Sequence, residues 1–209
     1  MFLGQLIKSV NKDHKDIRVN GISFDSRKVN KGDVFFAIKG GRTSGNKYIK
    51  EALSKGAAII ITQKKIKNKS FHSIRVKDVR KSLAQACSKF YVNKPKNIIA
   101  VTGTNGKSSV VNFFYQILSL NNIPVASIGT LGIHSKNFNK KTNLTSVDPL
   151  LLHKSLQILF NKKVNNVIIE ASSHGLAQKR LDSLNIKSGV FTNLSHDHLD
   201  YHNNMRSYL

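Results

Sequence analysis

Residues 98–120, IIAVTGTNGKSSVVNFFYQILSL, pass from a continuous apolar run through a glycine-bearing turn into a helical pattern. The run at 98–103 is rich in β-branched residues and suits a parallel strand covered on both faces, and 107–120 reads as a helix. Between them stands Gly103-Thr104-Asn105-Gly106-Lys107-Ser108-Ser109. The usual phosphate loop is G-x-x-x-x-G-K-[ST]; five places before Gly106 stands Val101, inside the strand, so the first glycine is missing. The placement between strand and helix restores the reading. Two glycines let the backbone turn sharply and aim N–H groups at an anion, and the helix N-terminus adds a favourable field. Lys107 is then placed for the β- and γ-phosphates, with Ser108 or Ser109 for Mg²⁺. The alternative is an ordinary glycine-rich turn.

Outward from this stretch, strand and helix alternate. After it come PVASIG (124–129), a helix at 148–160, VNNVIIE (164–170), a short helix near 176–184 and SGVFTNL (188–194). Short connections and near-continuous apolar strands describe an open, mostly parallel sheet in a doubly wound α/β domain. Toward the N-terminus, VFFAI (34–38) and AAIII (57–61) read as strands around a helix that ends at Gly56, with FHSIRV (71–76) as a further strand and a helix at 78–92. The polar, proline-bearing NKPKN (93–97) marks the boundary between a small α/β domain, 1–93, and a second domain, 94–209.

In such sheets ligands bind beyond the carboxyl ends of the strands. VNNVIIE ends on Glu170, a carboxylate where a Mg²⁺ ligand is wanted beside a phosphate loop; the bland reading is a surface Glu at a loop start. ASSHGLAQKRL follows it. After the last strand, NLSHDHLDYH packs His196, Asp197, His198, Asp200 and His202 into seven residues. Mixed His and Asp without Cys is weak evidence for zinc, and a nucleotide-linked Mg²⁺ fits the neighbourhood better.

Composition bounds the partners. The formal net charge is +23, but 27 of the 34 basic residues are Lys and only 7 are Arg, and the charge is spread along the chain. Arg is the better reader of phosphates and bases, and no recognised binding motif accompanies the charge, which argues against nucleic acid as a partner. The single Cys87 lies at an apolar helical position and reads as core. No run of about 18 apolar residues occurs, so no membrane partner is expected and a cytoplasmic location is.

In order, VTGTNGKSS, EASSHGLAQKR and FTNLSHDHLDYH resemble the motifs of the Mur ligases, and FDSRKVNKGDVFFAIKGGRTSG (24–45) resembles that family's uridine-nucleotide-binding domain. The likeness is strongest to the branch that extends UDP-N-acetylmuramoyl-L-alanyl-D-glutamate with meso-diaminopimelate or L-lysine. The resemblance implies an ATP- and Mg²⁺-dependent amide-bond ligase acting through an acyl phosphate, in a monomer whose small-molecule substrates are the UDP-muramoyl-dipeptide and the diamino acid. Residues Gly103 to Ser109 would hold the ATP phosphates. Lys107, Glu170 and His198 would be catalytic, with Ser108 and Glu170 serving one Mg²⁺ and His198 a second. Ser172, Gln178 and Arg180 would contact the muramoyl-peptide. Thr145 and Ser146 fall where the family has Thr-Thr-Pro-Asp; Ser146 keeps a hydroxyl, whereas Val147 replaces the proline. In the first domain Phe24, Ser26, Gly41, Arg42 and Thr43 match positions that grip uridine and diphosphate.

The chain is expected to stop inside the family's central domain, with the carbamylated lysine just past Leu209, and not to complete ligation alone. Rival readings are a folylpolyglutamate-synthetase-like ligase, which shares the Gly-Thr-Asn-Gly-Lys loop, and a basic, non-catalytic nucleotide- or RNA-binding fragment.

Overall fold

A computed structural model describes every residue of the chain except Ser9, Gly41, Arg42 and 67–69. The described residues form two units, Met1–Phe90 and Tyr91–Leu209. The first contains α1 (Leu3–Leu6), β1 (Gly21–Ser23), β2 (Asp33–Phe36), α2 (Ile49–Ser54), β3 (Ile59–Thr62), β4 (Ser73–Arg75) and α3 (Val79–Phe90). Its sheet runs β1-β2-β3-β4, parallel throughout, with Val34 opposite Ile59 and Ile61 opposite Ile74. All four residues of β2 and of β3 are buried, as expected of parallel strands covered on both faces. Phe35, Ala37 and Ile60 pack against Ile49 and Ala52 of α2. Cys87 is buried in α3. β1, only three residues long, carries too little alternation to stand out in the sequence.

The second unit contains β5 (Asn97–Thr102), α4 (Lys107–Leu120), β6 (Val125–Gly129), β7 (Gly132–Ser135), α5 (Pro149–Asn161), β8 (Asn166–Glu170), α6 (Ser173–Ala177), β9 (Ser188–Phe191), α7 (Leu199–His202) and α8 (Met205–Tyr208). Its sheet order is β7-β6-β8-β5-β9. Helices cover both faces. Ile98, Ala100, Ala126, Ile128, Val167 and Ile169 share one core with Leu152, Leu156 and Leu159 of α5, whereas Val101 and Ile168 pack with Val111 of α4 on the other side.

Two elements depart from the sequence reading. β7 turns back through Thr130 and Leu131 and pairs antiparallel with β6, Gly129 opposite Gly132, so the sheet is parallel except at this edge. The helix expected near 176–184 is instead α6, because Ser172 caps it, accepting from the Gly175 N–H at 3.1 Å, and Lys179 leaves the helix with a φ of 59°. Asp148, accepting from the Leu151 N–H at 2.9 Å and followed by Pro149, starts α5.

This order creates the switch point at which open α/β sheets bind ligands. From β5 the chain crosses to β6, returns to β8 beside β5, and then places β9 on the far side of β5. The carboxyl ends of β5, β8 and β9 therefore lie side by side. Among the described residues no helix is long and apolar enough to cross a membrane.

Candidate functional site

The loop after β5 is held from below by the end of β9. Gly103 has a φ of 129°, and a Cβ there would lie 2.2 Å from Thr192 Oγ1, so only glycine fits. Thr192 Oγ1 donates to the Asn105 carbonyl at 2.7 Å, and the Asn193 amide both accepts from the Asn105 N–H (3.0 Å) and donates to the Asn105 carbonyl (3.3 Å). The Thr104 N–H donates to the Asn193 carbonyl at 2.9 Å, and its buried hydroxyl accepts from the Ser195 N–H at 2.9 Å and meets the Tyr208 hydroxyl at 3.0 Å. Thr104 and Asn105 thus direct their N–H groups into the scaffold.

The groups left for an anion come from the next residues. Gly106 caps α4 in the left-handed region with no side-chain cap, and a Cβ on it would meet nothing within 4 Å. The first turn of α4 is therefore open at its N–H end. Lys107 Nζ arches back to donate to the carbonyls of Gly103 and Thr104, both at 2.7 Å, which centres its ammonium on the loop. Ser109 is exposed.

Glu170, at the end of β8, is 1% exposed, and no basic side chain among the described residues lies within ion-pair distance. Donors take the place of a counter-ion. Ser108 Oγ donates to Oε2 at 3.0 Å, the Thr130 N–H to Oε1 at 2.9 Å, and Thr130 Oγ1 to Oε2 at 3.0 Å. Gly129 makes room for the carboxylate: a Cβ there would lie 2.2 Å from Oε1. A buried carboxylate that lacks a cation and touches the hydroxyl opening α4 has the chemistry of a Mg²⁺ site, because Mg²⁺ takes one or two carboxylates and completes its shell with phosphate oxygens and water. A cavity of about 190 Å³ adjoins it, lined among others by Ser108, Asn112, Tyr115, His134 and Glu170.

A second network reaches Glu170 through its backbone. Ser146 Oγ donates to the Glu170 carbonyl at 2.8 Å and accepts from the Ser172 N–H at 2.8 Å, with Ser172 Oγ 3.0 Å away. Arg180 donates through Nη1 to the Ser146 carbonyl and through Nη2 to Gln178 Oε1 at 2.8 Å. Gly175 permits this close packing, since a Cβ there would meet Ser146 Cβ at 2.5 Å. Thr145 joins by its hydroxyl, 3.1 Å from Thr130 Oγ1. Val147, in place of the family's proline, is buried in the core shared with α5, so that the loop is anchored by packing.

Ser108, Thr145, Ser146, Gln178, Ser172 and Arg180 are thus linked to Glu170 directly or in steps. His198 is not: no hydrogen bond joins it to Ser108 or Glu170. It sits at a φ of 53°, with Asp197 Oδ1 3.6 Å from its Nδ1 and its ring 4.8 Å from that of His174. His174 also meets Tyr201 at 4.1 Å and His202 at 5.6 Å. Burial, reinforced by His198, His202 and Arg180 and opposed by Asp200, lowers the His174 pKa. Among the described residues no group of three or more His, Cys, Asp or Glu is arranged to hold a metal ion.

In the first unit Ser26 is buried and donates to Glu51 Oε2 at 2.7 Å, Phe24 is half-buried after β1, and Thr43 is exposed. Gly41 and Arg42 lie outside the described residues. Sequence reasoning missed Thr130, Thr192 and Asn193. All three stand just past strand ends, a position that marks the ligand edge of the sheet without naming their partners.

The Mur ligase middle domain matches residues 101–209, and the Mur ligase family catalytic domain matches 18–93. A UDP-N-acetylmuramoyl-L-alanyl-D-glutamate–2,6-diaminopimelate ligase from Rickettsia montanensis is 45% identical over 97% of this chain and 43% of its own length. The ligase of the same name from Rhizobium meliloti is 38% identical over 98% and 42%. A solved structure of such a ligase superposes with a TM-score of 0.84 at 30% identity, over all of this chain and 43% of that one. A Thermotoga maritima MurF ligase in complex with ADP shares the fold, with a TM-score of 0.59 at 24% identity over 92% of this chain and 41% of its own. The chain therefore spans about two fifths of the length of these relatives. With the middle-domain match covering more than half of its residues, the chain belongs to the Mur ligase family.

Proposed function

We propose that this chain supplies the substrate- and ATP-binding parts of a cytoplasmic ligase that joins diaminopimelate to UDP-N-acetylmuramoyl-L-alanyl-D-glutamate. Residues 1–93 hold the uridine end, through Phe24, Ser26 and Thr43 and the undescribed Gly41 and Arg42, and residues 94–209 hold ATP. The relatives' names support the substrate pair. The observation that carries the reading is Glu170, buried without a cation and 3.0 Å from the hydroxyl of Ser108 at the mouth of the phosphate loop.

The chemistry follows from charge. A carboxylate and the γ-phosphate repel each other, so their approach requires cations that are already in place. Lys107 supplies one; when phosphate enters, its ammonium exchanges the carbonyls of Gly103 and Thr104 for phosphate oxygens. The open N–H groups of α4 hold the β-phosphate. Ser108 and Glu170 hold Mg²⁺, which when bound screens the transferring phosphoryl group. Arg180 and Gln178 orient the anionic peptide, with Ser146 and Ser172 fixing the loop that carries them.

Calorimetric titration of the 209-residue protein with ADP and Mg²⁺ tests the reading. Saturable binding that Lys107→Ala weakens by about 100-fold is expected from losing a charge-assisted phosphate contact. Equal binding by both proteins, or none by either at millimolar ADP, overturns it.

A further inference from the structure

We propose that Thr130 is a positioning residue that holds the Glu170 carboxylate aimed at the metal while Ser108 exchanges its bond to that carboxylate for one to the metal. The inference rests on the reading above, in which Ser108 and Glu170 hold Mg²⁺.

Thr130 is the first residue of the two-residue turn between β6 and β7, and it grips both oxygens of Glu170, Oε1 by its N–H at 2.9 Å and Oε2 by its hydroxyl at 3.0 Å. Ser108 grips only Oε2. A hydroxyl has one proton. A metal held between Ser108 Oγ and Glu170 Oε2 takes the place that the Ser108 proton fills here, and the two bonds from Thr130 remain. The turn is itself held: Gly129 pairs with Gly132, and the Gly129 carbonyl accepts from Thr142 Oγ1 at 3.2 Å. Thr145 Oγ1, 3.1 Å away, is a second acceptor within reach of the same Thr130 proton. A chain of hydroxyls thus runs from Thr145, beside the muramoyl-peptide contacts, through Thr130 to the metal carboxylate. Groups that orient metal ligands in this way typically control affinity by about 10–100-fold.

The test is Mn²⁺ binding to the 209-residue protein in the presence of ADP, read by electron paramagnetic resonance, with melting temperatures measured without metal. Thr130→Val keeps the backbone donor and the shape but loses the hydroxyl; Thr130→Ser keeps both donors. The expected result is an affinity about 10–100-fold weaker for Thr130→Val, recovery to within about threefold in Thr130→Ser, and closely similar melting temperatures for all three proteins. Thr130→Val binding Mn²⁺ as tightly as the parent, or Thr130→Ser binding as weakly as Thr130→Val, overturns the assignment. So does a loss of affinity that merely tracks a lowered melting temperature. If the parent protein itself shows no ADP-dependent Mn²⁺ site, the metal reading of Ser108 and Glu170 fails and takes this role of Thr130 with it.

Discussion

Glu170 and His153 are both ionisable, both 1% exposed or less, and lie on opposite faces of the same sheet, yet their surroundings are opposed. Three donors converge on the Glu170 carboxylate, and a glycine leaves space for it. Neither ring nitrogen of His153 has a hydrogen-bond partner. Burial alone therefore does not mark a site; a prepared ring of donors does. Glu170 is a charge the fold has provided for, and His153 is a helical core residue that the fold tolerates only while neutral.

The largest expected effect tests the His153 half of this contrast. Burial, helped by Lys94 and opposed by the Asp182 backbone, which lies close without meeting hydrogen-bond geometry, lowers its pKa from 6.5 to about 4. As pH falls through 6.5 the unfolded chain takes up the proton first, so stability declines from there to about pH 4 and then levels. The gap is equivalent to about 3 kcal/mol. Denaturant unfolding of His153→Leu should show a shallower decline over that window than the parent. Parallel curves would show that His153 finds a partner in solution.

Gly129→Ala attacks the other half. Its new Cβ would lie 2.2 Å from Glu170 Oε1 and 2.6 Å from Cγ and so drives the carboxylate off its three donors, at an overpacking cost of about 1–3 kcal/mol and with about 10–100-fold weaker ADP-dependent Mn²⁺ binding. Unchanged melting and unchanged Mn²⁺ titration would mean that the Glu170 pocket is loose rather than prepared. A smaller effect separates fold from site on the α5 side: Asp148→Ala removes the cap and costs about 1 kcal/mol in denaturant unfolding. Mn²⁺ affinity should stay put, because Val147 and Ser146 remain fixed by packing and by Ser172.

What could be read in the sequence followed periodicity and position at strand ends. β5 and α4 fall where the apolar run and the helical pattern of 98–120 place them, and Glu170 stands at the end of β8 as a strand-terminal acid. β7 escaped because Gly132-Ile-His-Ser is short and begins on a glycine; its pairing depends on a turn that only three-dimensional register reveals. Thr130 escaped for the same reason. Its importance comes from Glu170, forty residues away, and a threonine after a strand carries no local mark of that partner. Likewise nothing in GTNG says that Thr104 faces Ser195 and Tyr208 rather than a phosphate.

The smallest effect on stability concerns the place where resemblance and geometry diverge most. His198 is assigned a metal by family likeness, while here its ring packs on His174 from a left-handed backbone. His198→Asn removes the imidazole but retains a residue that accepts positive φ, so the turn into α7 survives. Stability should change by less than about 1 kcal/mol, since the contacts of a half-exposed ring with His174 and Tyr208 are exchanged for relief of backbone strain. ADP-dependent Mn²⁺ affinity should fall, by about tenfold, if the loop brings this ring to the phosphates on binding. An unchanged affinity would make His198 a packing residue of α6 and α7 and leave the metal to the Ser108–Glu170 pair. The contrast between prepared and unprepared groups would then extend through the whole site.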